Sequence, residues 1–177
     1  MPKKHSLVII ASSMILFSAA SANTDSLCKS GEFAVLSGKV GTLKGGAFTG
    51  SKILSLCGVG KAPSFSRLTY RFGTESKIEL EYSTPENGEM YATNEAIMPR
   101  AAVDVIYFSR GQTTYGISQC LGGNCDRSDS IELRVFNGKK QVAKLVSDPK
   151  NFKINLDISD VKATGLKQKD TELTFVD

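Results

Sequence analysis

Four cysteines, one histidine and scattered carboxylates are the residues of this 177-residue chain with chemistry to offer. The histidine, His5, stands in a basic opening, Met-Pro-Lys-Lys-His. An apolar run from Leu7 to Phe17 follows, then Ala20-Ser21-Ala22, a small-x-small cleavage pattern. This is the layout of a secretory leader, and its apolar run is too short to span a bilayer. The expected organisation is a signal peptide over 1–22 and a single β domain over 23–177. Cleavage would remove the only imidazole. Without it Ser-His-Asp and Cys-His catalysis and every histidine-bearing metal site are excluded. Export also decides how to read the cysteines: an oxidising compartment favours two disulfides over a zinc site. Cys120 and Cys125, separated by Leu-Gly-Gly-Asn, pair locally, and Cys28 pairs with Cys57. The longer loop should contribute about 3–4 kcal/mol by restricting the unfolded chain. Leu27 stands before Cys28 where a lipidation signal would need a small residue, so a lipid-free exported protein is expected.

The remaining candidates are weaker. Asp104 sits in an apolar run and could be a buried carboxylate of functional use, or it could face out or pair with an arginine. Asn124, Asp126 and Asp129 cluster oxygen ligands, but the glycine and closing glutamate of a calcium loop are missing. Ser55 has no base to activate it. No pair of carboxylates is singled out for glycoside hydrolysis. The expectation is therefore no catalytic residue, no metal and no cofactor. Losing Lys3 and Lys4 with the leader lowers the formal charge from +4 to +2, which gives no argument for nucleic acid. Recognition falls to loops on a rigid scaffold: the glycine-rich segment Ser37–Gly50, the Pro63 loop and the Gly122-Gly123 loop. Arg67, Arg100 and Arg110 are the candidate binding residues, since arginine often anchors interfaces.

The elements that must hold these residues are strands. Leu68, Tyr70 and Phe72 alternate with Arg67, Thr69 and Arg71; Ile78, Leu80 and Tyr82 alternate with Lys77, Glu79 and Glu81. That two-residue period marks strands with one buried face. Matching the faces predicts a hairpin pairing Phe72 with Ile78, Tyr70 with Leu80 and Leu68 with Tyr82. Its loop is Thr74-Glu75-Ser76, and Arg71 stands opposite Glu79. Six large apolar side chains, each worth about 1.5–3 kcal/mol when buried, place this hairpin at the centre of the core. Further strands are predicted at Glu32–Leu36, Lys52–Cys57, Ala102–Phe108, Gln112–Gln119, Ile131–Phe136 and Gln141–Val146, with another through Phe152–Ile158 and a last one at Leu173–Val176. Ser37–Gly50 reads as a flexible loop with room for a short strand around Val40, Ser83–Asn94 as a loop, and Asp160–Gln168 as a short helix or a loop. Asn137-Gly138 predicts a two-residue turn in a peripheral hairpin. The fold class is all-β, an antiparallel barrel or sandwich of about eight to ten short strands with little helix.

The block Lys52-Ile-Leu-Ser-Leu-Cys57, Leu68-Thr-Tyr-Arg-Phe-Gly73 and Glu79-Leu80 resembles a family of small exported β-rich proteins of Gram-negative bacteria. Members of that family commonly carry an upstream strand cysteine, which has no counterpart in Val35–Gly38. In size, leader, β-barrel architecture and disulfides the chain is also similar to periplasmic lysozyme inhibitors; Ser37-Gly38 matches the first two residues of their inhibitory motif. The first resemblance carries no function over; the second, with the missing imidazole, makes the expectation a periplasmic or secreted, non-enzymatic protein with a protein partner in the envelope, such as a hydrolase inhibitor or an immunity protein. The alternatives are an envelope structural or stress protein and a carboxylate-dependent hydrolase.

Overall fold

A computed structural model describes residues 25–97, 100–123, 125 and 130–175. The strands are β1 Phe33–Lys44, β2 Ala47–Lys61, β3 Ser64–Thr74, β4 Lys77–Thr84, β5 Met90–Ile97, β6 Ala101–Arg110, β7 Thr113–Gly122, β8 Ile131–Asn137 and β9 Lys140–Ile154. A 3-10 turn over Ile158–Asp160 leads to β10 Lys162–Ala163 and β11 Leu166–Gln168. All belong to one sheet in the order β10-β3-β2-β1-β9-β8-β7-β6-β5-β11, with β4 also on β3. Strand β9 leaves β8 and pairs antiparallel with β1, which joins the first hairpins to the later meander. The circuit is completed by residues 162–168. There β10 lies parallel on Ser64 and Phe65 of β3, and β11 lies parallel on Met90–Ala92 of β5. The result is a nearly closed all-β barrel, as the alternating runs predicted. The signal peptide expected over 1–22 lies outside the described residues.

Alternation places Leu36, Leu54, Leu56, Leu68, Tyr70 and Ile106 inside, all at most 2% exposed. The β3–β4 hairpin is central, as predicted, but its register differs. Phe72 pairs with Leu80, Tyr70 with Tyr82 and Arg71 with Glu81, and a bulge passes over Glu79 before Gly73 meets Ile78. A bulge adds one residue to one strand, which alternation alone does not count. Gly73 permits it, because a Cβ there would run into the Lys77 carbonyl oxygen. The loop is therefore Glu75-Ser76 rather than three residues, and Ile78 is 41% exposed instead of buried.

Other expectations are corrected by long-range pairing. The glycine-rich segment Ser37–Gly50 is no loop: β1 and β2 run through it and turn at Gly45-Gly46, both with positive φ. Gly41 and Gly50 cross so closely that a Cβ on Gly50 would lie 2.6 Å from the Gly41 Cα. The β8–β9 hairpin is not peripheral: Ile131, Leu133 and Phe136 are buried, and β9 closes onto β1. Its turn is Gly138-Lys139, and a bulge at Val142 pairs Leu133 with Leu145. Ser83–Asn94 contains the start of β5, and Asp160–Gln168 supplies β10 and β11 in place of a helix. Leu173–Phe175 is not a strand, and Val176 lies outside the described residues.

Two segments with no strand period cover the outside of the wall. Leu27 N donates to Ser55 Oγ at 2.9 Å, and Ser37 Oγ donates to the Asp25 carbonyl at 2.8 Å. At the other end of the chain Lys169 N donates to the Ala92 carbonyl and Tyr107 Oη to the Lys169 carbonyl. Phe175 then seats against Phe136 and Tyr107, over Gly116, where any Cβ would collide with its ring. Val103, Val105, Tyr107 and Phe136 form this second, external core.

Candidate functional site

Both predicted disulfides are present: Cys28–Cys57 with Cα atoms 5.5 Å apart, and Cys120–Cys125 at 5.8 Å. The first ties the N-terminal strap to β2 and encloses Arg71. This outward-facing arginine is only 2% exposed, as is its neighbour Thr69 at 1%, so the supposed solvent face of β3 is covered. Arg71 donates to both oxygens of Glu32, at 2.5 and 3.0 Å, to Glu81 at 2.8 Å and to the Leu27 carbonyl at 3.2 Å. Burial opposes ionisation of Glu32, but the Arg71 guanidinium, the Lys29 N–H and the charge of Arg67 outweigh it, and its carboxyl is held below the usual range. The Arg71 hydrogen bond likewise lowers Glu81, against a weaker opposing effect of burial. A general acid for glycoside hydrolysis needs the opposite shift, so this cluster is a clamp. Cys28, Glu32 and Cys57 bring potential ligand atoms within 4.8 Å of one another, yet both sulfurs are consumed by the disulfide.

Among the described residues an opening lies elsewhere, at the seam. Strand β4 pairs with β3 alone, and β11 covers β5 only from Met90 to Ala92. Between β4 and the end of β6 the wall is joined by rings in place of backbone hydrogen bonds. Tyr82 stacks on Phe108 at 4.1 Å, Phe108 on Tyr115 at 5.2 Å, and Tyr70 meets Phe108 edge-on at 5.0 Å. Such pairs add about 0.5–1.5 kcal/mol each beyond their buried area. Beside them is a pocket of about 330 Å³ lined by Glu81, Tyr82, Asn87, Ser109, Arg110 and Gly111. Asn87 caps one end of the open β4 edge: its Oδ1 accepts from Ser83 N, and its own N–H donates to the Ser83 carbonyl, both at 2.8 Å. Glu81 is fixed by Arg71 and Lys29, Ser109 by Thr114, and the Tyr82 hydroxyl donates to the Glu89 carbonyl. Arg110 makes no ion pair with any described residue. The pocket thus has satisfied walls and one uncommitted cation. That suits recognition of an anionic or hydrogen-bond-accepting group.

The three predicted arginines do not converge. Arg110 is in the pocket. Arg100 is exposed at the other end of β6, about 30 Å away along the strand. Arg67 belongs to the clamp, 3.8 Å from Glu32 and 3.6 Å from Glu86, with its Nε buried and unpartnered. Asp104 is buried on its strand and accepts from Asn94 Nδ2 at 2.7 Å. Ser55 serves the strap, 2.6 Å from Ser37 Oγ. Asn124, Asp126 and Asp129 lie outside the described residues. The sequence reading missed Glu81, Tyr82 and Asn87 as pocket walls. Asn87-Gly88 had signalled only a turn.

These features define a class: a nearly closed, mainly antiparallel barrel, strapped by residues 25–32 and 169–175 and open along one seam. No family model matches the chain, and no curated protein or solved structure matches it. Among the described residues no helix is long and apolar enough to cross a membrane.

Proposed function

We propose that the chain is an exported, non-enzymatic binding protein of a Gram-negative cell envelope, working in the periplasm or outside the cell. Two disulfides suit an oxidising compartment. The observation that carries the reading is the seam: an uncommitted arginine in a pocket beside an unpaired strand edge, on a scaffold stiffened from both ends. Partner proteins use such edges for added strand pairing and such arginines as anchors. In its most concrete version the partner is a lysozyme or another cell-wall hydrolase held inactive, or a toxin met by its immunity protein. An envelope structural role without inhibition is the second reading. A carboxylate-dependent hydrolase is the third, and the lowered carboxyls of Glu32 and Glu81 count against it.

A photoreactive side chain at Gln112, exposed next to the pocket, tests the reading in living cells, with Lys150 as the exposed control. A discrete protein adduct from position 112 that is absent from position 150, and lost with Arg110→Ala, is expected. Identical adducts from both positions, or none from either, would overturn the seam as the site of capture.

A further inference from the structure

The three large apolar side chains most open to solvent among the described residues stand at one end of the barrel. They are Leu43, Ile78 and Val142, exposed by 40%, 41% and 55%. The β1–β2, β3–β4, β6–β7 and β8–β9 turns share that end, because β7 begins where β8 finishes and β9 runs back along β1 from there. Leu43 precedes Lys44 at the Gly45-Gly46 turn, Ile78 follows Lys77, and Val142 follows Lys140 by two residues. Lys139 is committed to Glu172 at 2.6 Å, and the Glu79 carboxylate to Lys52. Lys44, Lys77 and Lys140 have no ion-pair partner among the described residues. The β1–β2 ribbon reaches furthest: its pairing with β9 ends at Gly41 and its pairing with β3 at Ile53, so residues 42–52 project clear of both neighbours. Phe48, half-buried, faces Leu43 across that ribbon.

Three tips repeat one arrangement, an exposed apolar side chain beside an unpaired lysine. They sit on three different hairpins, β1–β2, β3–β4 and β8–β9. Apolar points on separate hairpins, each with a lysine within two residues and with Glu75 as an exposed carboxylate at the β3–β4 tip, match a fluid surface whose headgroups can move to meet each tip. Apolar side chains enter the boundary between headgroups and acyl chains, and ammonium groups lie against lipid phosphates. We propose that this end of the barrel docks reversibly on an anionic lipid bilayer, through Leu43, Ile78 and Val142 with Lys44, Lys77 and Lys140. None of these residues lines the seam pocket, so this docking and the capture of a protein partner stand or fall separately.

The test is co-sedimentation of the purified exported protein with vesicles. Uptake is expected on equimolar phosphatidylglycerol and phosphatidylcholine, with release by salt and little uptake on phosphatidylcholine alone. K44Q/K77Q/K140Q should weaken partitioning about a hundredfold, at about fivefold per cation. K61Q/K150Q/K162Q makes the same charge change away from the tips and should keep most of the binding. L43S/V142S should weaken uptake at low salt as well. Equal loss in the two triple variants would overturn the proposal. So would equal uptake on neutral vesicles, or self-association through this end with no vesicle uptake.

Discussion

Replacing Glu32 with Gln should be among the most damaging single changes outside the barrel interior. The Glu32 and Arg71 side chains are 4% and 2% exposed, and the carboxylate takes two of the guanidinium's hydrogen bonds. Removing one partner of a buried pair leaves a desolvated charge and costs about 3–5 kcal/mol. Arg71 keeps Glu81, which is 38% exposed, and the Leu27 carbonyl. The loss should therefore fall at the lower end, about 3 kcal/mol. With a urea slope of about 2 kcal/mol per M, the midpoint should drop by roughly 1.5 M. The pH dependence adds a second check. Both Glu32 and Glu81 have folded-state pKa values lowered from 4.5. Their contribution is fully present above that value and is lost as pH falls through the lowered ones. The gap between wild type and Glu32→Gln should therefore be widest near neutrality and shrink in acid below pH 4.5. E32L/R71M, which removes both charges, should recover much of the loss. A midpoint change corresponding to under about 1 kcal/mol, or a gap that does not vary with pH, would refute the clamp.

C28S/C57S should lower stability by about 3–4 kcal/mol for a 29-residue separation, read from the same urea curves under oxidising conditions. Phe175→Ala empties the external core over Gly116 and should cost about 3–5 kcal/mol; calorimetry would show a lower Tm. Asn87→Ala leaves the Ser83 N–H without its side-chain acceptor and should cost about 1–2 kcal/mol, with faster amide exchange at Ser83 than at Tyr82.

Strand identity and the inward faces were legible because period two is local: Leu68 and Tyr70 point in as their spacing says, and Leu54 and Leu56 do the same. Both disulfide pairs were legible from the expected export and from their separation. Register was not, because the extra residues at Glu79 and Val142 leave alternation intact on either side of the bulge. The glycines of residues 37–50 suggested a loop by composition, whereas Gly41 and Gly50 let two strands cross. The burial of Arg71 and Thr69 was invisible because residues 25–32, which cover them, carry no period. Arg110 could be named as a binding candidate next to a turn. Its pocket could not be foreseen, since the facing wall comes from Glu81, Tyr82 and Asn87, more than twenty residues earlier in the chain.

Titration of cell-wall hydrolases with the purified, oxidised protein bears most directly on the proposed role. Lysozymes and endogenous muramidases would be assayed on peptidoglycan with increasing amounts of wild type and of Arg110→Ala. One hydrolase class is expected to lose its activity in proportion to added protein and to be silenced near one equivalent. Arg110→Ala is expected to inhibit at least about tenfold more weakly. Undiminished activity of every hydrolase, together with polymer cleavage by the protein itself that a single Asp or Glu substitution abolishes, would contradict it.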